Sequence, residues 1–137
     1  MSTITPQQQT TIAAKLKDMH IPVGMGTAEA ACSIAAINLA LNGELTDEIP
    51  KCMSLVIGSW IIPIQDGMPE IMRNSQCWKG LLPLAAGTGR DHELQRLEII
   101  MNWMWGTVLP AFNSRAYRFG VGAEWLQMCM TRTVSYT

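Results

Sequence analysis

Charge is scarce in this sequence. Ten Lys or Arg and eleven Asp or Glu make up 15% of 137 residues, against roughly 25% in an ordinary soluble domain. Part of the surface is therefore expected to be neutral or apolar, and a homo-oligomer is the economical explanation. The two signs nearly cancel, leaving a formal charge of -1 and a pI near 6.1. With no basic run to attract phosphate, neither a nucleic-acid nor a membrane partner is expected.

Metal chemistry lacks its ligands. Histidine is limited to His20 and His92, and Cys32, Cys52, Cys77 and Cys129 include no CxxC pair. No metal and no cofactor is expected, and buried, reduced thiols are the plain reading. Long apolar runs are also missing. The longest uncharged stretches, 52–65 and 99–114, contain Gly, Pro, Ser or Asn and fall short of the roughly 20 apolar residues of a bilayer span. The first nine residues have neither the basic nor the apolar region of a secretory signal, so a cytoplasmic, reducing location is expected.

What is present is helical patterning. Thr5-Pro6 reads as an N-cap with proline at the first helical position, and Ile12, Leu16 and Met19 follow at helical spacing until Ile21-Pro22. Gly24-Met25-Gly26 leads to Thr27, read as the N-cap of a central helix over 28–41 that Asn42-Gly43 stops. Thr46-Asp47-Glu48 opens another helical region, whose apolar run 55–64 competes as a strand and is kinked or ended by Pro63. Pro69 starts a short helix through Met72, and Asn74-Ser75 caps a segment over 77–84. The segment 91–108 places Leu94, Leu97, Ile100, Met101 and Met104 on one apolar stripe, with Pro110 ending it. A last helix covers 121–130, and the tail 131–137 is polar and β-prone. No repeat or linker divides the chain. The expectation is a compact single all-α domain over 1–137, a bundle of five to seven helices joined by short Gly/Pro-rich turns.

Candidate chemistry concentrates at Gly87-Thr88-Gly89-Arg90-Asp91-His92-Glu93. Glycines before a helix start free the backbone, and unpaired N–H groups there attract an anion that Arg90 would clasp in bidentate fashion. The plainer reading is a helix-to-helix turn with Asp91 and Glu93 complementing the helix dipole. His92-Glu93 begins an HExxH pattern, but position 96 is Arg, which removes the metal reading. Gly24 to Thr27 has the same layout, with an N-cap as its plainer role. His20 suits a helix C-terminus, and no serine lies in a GxSxG setting.

Five tryptophans and ten methionines are the unusual part of the composition. Core packing explains most of them, yet Trp103 and Trp105 lie about 200° apart on a helix, so one should face a subunit, a neighbouring helix or a ligand. Arg115-Ala116-Tyr117-Arg118-Phe119 reads as a solvated loop with interface-like composition. The expected function is that of a non-enzymatic, homo-oligomeric binding protein for an anionic, nucleotide-like small molecule. Its contacts would be Gly87, Thr88, Gly89 and Arg90, with Arg73 or Arg118 as counter-charges and Trp105 as stacking surface. One alternative is an adaptor or inhibitor docking on a larger protein partner through an apolar face. The other is a small enzyme using His92 with Asp91 or Glu93 for acid–base chemistry.

Overall fold

The structure, a computed structural model, describes residues 3–133; the rest of the polar tail, 134–137, lies outside them. The described residues are all-α: α1 (Pro6–Lys17), α2 (Ser33–Asn42), α3 (Leu55–Gly67), α4 (Glu70–Arg73), α5 (Gln76–Ala86), α6 (Glu93–Trp103), a π-helical turn (Met104–Val108), α7 (Leu109–Ala111), α8 (Asn113–Arg118) and α9 (Gly122–Thr131). By its contacts the chain divides into two compact units, Met1–Glu93 and Leu94–Thr137.

In the N-terminal unit α1 begins as its sequence dictates. Thr5 Oγ1 accepts from the Gln8 N–H at 3.1 Å, and the Gln8 side chain accepts from the Thr5 N–H at 2.8 Å, a reciprocal capping box. Ile12 and Leu16 then face inward, followed past the helix end by Met19 and Ile21. The end of α1 is held by Lys79 of α5, buried, whose Nζ donates to the Met19 carbonyl at 2.7 Å. That cation takes the role expected of His20, which instead faces Glu70 at 3.3 Å. Helix α2 is central: Ser33 to Asn38 are all buried, and α1, α3 and α5 pack around it.

Two boundaries depart from the sequence reading, and the competing strand is settled in favour of the helix. The central helix starts at Ser33 rather than Ala28, because Gly24 and Gly26 take positive φ and the chain turns back on itself. The Thr27 N–H donates to the Ala30 carbonyl and the Cys32 N–H to the Met25 carbonyl, so Thr27 caps a turn and Cys32 is the N-cap of α2. Residues 46–53 are not helical. Asn38 donates to the carbonyls of Thr46 and Glu48 at 2.8 and 2.9 Å, using acceptors that a helix would keep for itself. The run 55–64 is helix rather than strand, and α3 continues through Pro63 to Gly67 with Ile61 and Gln65 buried on either side.

The C-terminal unit corrects the segment expected as one helix over 91–108. It begins at Glu93, changes to a π-helical turn at Met104, and continues as α7 and α8 beyond Pro110. This division raises the number of segments above the expected five to seven. The stretch 115–118, expected as a solvated loop, lies in α8. Trp125 Nε1 donates to the Leu109 carbonyl at 2.7 Å, and Arg132 donates to Asn102 at 2.7 Å. The π turn, α7, α8 and α9 pack together, but among the helical residues described in this unit only Ala116 and Gly122 are buried. Of the expected stripe, Leu94, Leu97 and Met101 are exposed and Ile100 and Met104 half-buried.

Candidate functional site

The turn at 87–93 is occupied by the protein itself. Thr88 Oγ1 donates to the Ala85 carbonyl at 2.8 Å and accepts from the Ser54 N–H at 2.9 Å. Gly89, at φ 68°, donates its N–H to the Cys52 carbonyl at 2.7 Å. Arg90 points its guanidinium at three backbone carbonyls, of Met53, Ile49 and Pro50, at 3.2 to 3.4 Å. Gly87 closes α5 against Ile4. Three of the four residues expected to cradle an anion, Thr88, Gly89 and Arg90, thus clamp the segment 49–54, because that segment has no helix to satisfy its own carbonyls.

The helix N-terminus that does receive an anion is that of α3, and the anion is Glu93. Its carboxylate accepts from the N–H groups of Leu55 and Val56, at 2.8 and 3.2 Å, and from Ser54 Oγ. Ser54 is fully buried and also accepts from the Ile57 N–H. A carboxylate among the orphan donors of a first helical turn is favourably placed for their partial positive charge. Glu93 is committed to this cap, while Asp91 and His92 are exposed at the surface. The three therefore form no acid–base constellation in this geometry.

Arg73 is also a structural group. It is buried in α4, with Nε donating to the Ile21 carbonyl and Nη1 to that of Met68, both at 2.8 Å. Arg118 is exposed at the end of α8, and Trp105 is half-buried in the π turn; both belong to the C-terminal unit. The structure thus brings together Gly87, Thr88, Gly89 and Arg90, and spends their polar groups. The two glycine turns serve different neighbours, since Gly24 donates its N–H to Asp66 at 3.1 Å.

Two of the concavities of the N-terminal unit are lined by charged side chains. One, beside Cys32, Asp47, Gln65 and Asp66, holds about 30 Å3, room for water rather than a substrate. Burial raises the Cys32 thiol pKa, and the carboxylates of Asp47 and Asp66 add to the rise against the N–H groups of Ala35 and Ile34. The thiol is held protonated, the reverse of what a nucleophile needs. The other is an open groove of about 580 Å3 whose lining includes Asn42, Glu44, Glu48, Lys51 and Arg90. Two acids there offset two bases, so the groove has no net attraction for an anion.

The polar groups that sequence reasoning missed are internal. Gln65 Oε1 accepts from the N–H and Oγ of Ser33, at 2.9 and 3.0 Å, and Trp78 Nε1 donates to that same Oγ at 3.0 Å. Their signal was an amide within each apolar run, Asn38 and Gln65. None of the five tryptophans is fully buried, Trp103 being 50% exposed. Among the described residues no three His, Cys, Asp or Glu side chains converge to hold a metal, and no helix is long and apolar enough to cross a membrane. The chain matches no family model, and comparison with curated proteins and with solved structures gives no match either.

Proposed function

We propose that this protein acts by binding another polypeptide, without catalysis, through the apolar surface of its C-terminal unit. The observation that carries this reading is the exposure of large apolar side chains from Leu94 to Met130, where Leu94, Phe119 and Met130 are 74–81% exposed. Surfaces of this extent mark association sites in proteins that remain folded in water. The N-terminal unit has its own core around α2. The anion-binding reading is less well supported, since Arg73 and Arg90 are engaged with carbonyls. A cytoplasmic setting is part of the proposal and is supported by the free state of all four cysteines.

The test is photo-crosslinking in cells that produce the protein. A benzophenone amino acid replaces Glu98, exposed on α6, and separately Glu29, exposed in the N-terminal unit. A discrete protein adduct at position 98, absent at position 29, is the expected result. No adduct at position 98 removes the reading.

A further inference from the structure

We propose that the open groove of the N-terminal unit binds a short peptide with free termini, a site separate from the apolar surface of the C-terminal unit. The groove holds about 580 Å3, inside the roughly 300–1,000 Å3 of small-molecule sites. Its lining includes Asn38 of α2, which is only 2% exposed. Asn38 Nδ2 donates to the carbonyls of Thr46 and Glu48. That contact fixes the orientation of the amide, since its oxygen turned toward two carbonyls would be repelled by both. The remaining atom, Oδ1, accepts no hydrogen bond among the described residues. It is not sealed from solvent either, because it is absent from the enclosed orphan atoms, among which Asn113 Oδ1 is found. A buried acceptor that the fold leaves unpaired beside a groove gains a hydrogen bond from a ligand N–H without giving one up to the protein.

The charges around the groove identify the rest of the ligand. Glu44, Glu48 and Lys51 are exposed along it. Among the described residues, no hydrogen bond or ion pair engages their side chains. Arg90 spends Nε and Nη2 on carbonyls and keeps Nη1. Two carboxylates and two cations cancel for a ligand of one sign, whereas a ligand carrying both signs can meet each with its opposite. A peptide with free ends brings an ammonium for Glu44 and Glu48 and a carboxylate for Lys51 and Arg90. Between them it brings the backbone N–H that Asn38 requires, which the backbone of a single amino acid lacks. Leu41, Ile49 and Pro50 add apolar lining for its side chains.

The test is heteronuclear NMR on the purified full chain at low salt. The protein is titrated with leucyl-glycyl-leucine and, separately, with the same peptide acetylated at the amine and amidated at the carboxylate. The side-chain amide signal of Asn38 reports the Oδ1 contact without any substitution. Saturable movement of that signal with the free peptide, and a much weaker response to the capped one, is the expected result. Lys51→Gln and Glu48→Gln alter exposed side chains, so each variant should fold. Each should raise the dissociation constant about fivefold, the upper end for an exposed charge pair. An Asn38 signal that stays still at millimolar peptide, an equal response to the capped peptide, or a dissociation constant indifferent to both substitutions overturns the inference. An equal response to the peptide acetylated at the amine alone also overturns it, because only a carboxylate would then be recognised.

Discussion

Glu93 shows how a single side chain joins sequence and structure. Its carboxylate satisfies Ser54 Oγ and two N–H groups of α3, so Glu93→Ala leaves donors without partners. The expected cost is about 2 kcal/mol, read from urea unfolding. Cys32 and Cys52 provide a second prediction. Burial raises both thiol pKa values above the ordinary 9.0, although Arg90 and a backbone N–H oppose the rise at Cys52. The fold therefore favours the thiol form. That contribution is complete below pH 9.0 and is lost as pH rises through the higher native values, so unfolding free energy should decline on that alkaline limb. At neutral pH, mass-resolved alkylation should modify exposed Cys77 while Cys32 and Cys52 stay protected.

At the scale of elements, the same residue type does different work according to what surrounds it. Gly43 closes α2 at φ 76° with nothing near a would-be Cβ, whereas at Gly26, φ 80°, a Cβ would lie 2.1 Å from the Ala30 carbonyl. Gly43→Ala should cost about 1–2 kcal/mol from backbone strain alone. Gly26→Ala should cost more, since the bridge that sets the start of α2 must shift. Leucines divide the same way. Leu16→Ala empties a fully buried site in α1 and should cost about 3 kcal/mol, while Leu97→Ala should leave the unfolding of the N-terminal unit unchanged. Thermal unfolding followed by circular dichroism distinguishes the two. Local signals located α1, α4 and α5 within a few residues, because each has its own cap or proline; α9 was located as closely without either. They misplaced the start of α2, because Thr27 and Cys32 are both competent caps and only the hydrogen bonds of the turn decide between them.

Across the whole molecule, scarcity of charge and exposure of apolar surface express one property. The N-terminal unit holds six Lys or Arg and nine Asp or Glu; the C-terminal unit holds Arg96, Arg115, Arg118 and Arg132 against Glu98 and Glu124. With Arg73 and Arg90 committed to carbonyls, a panel of nucleoside mono-, di- and triphosphates is expected to leave the melting temperature unchanged. A rise that grows with ligand concentration would restore the anion-binding reading.

The sequence alone determined the helical class, the capping of α1, the αL stop at Gly43 and the apolar stripe of α6, since each depends on residues within one or two turns of one another. Only the tertiary structure decided where the polar groups of the candidate site were used. Arg90 reaches carbonyls about 40 positions earlier, and Glu93 caps a helix that starts 38 positions before it. A glycine turn followed by arginine is chemically fit to hold an anion. Whether it does depends on which unpaired carbonyls and N–H groups the fold brings within 3 Å, because burying any of them without a partner costs more than the ligand site would gain.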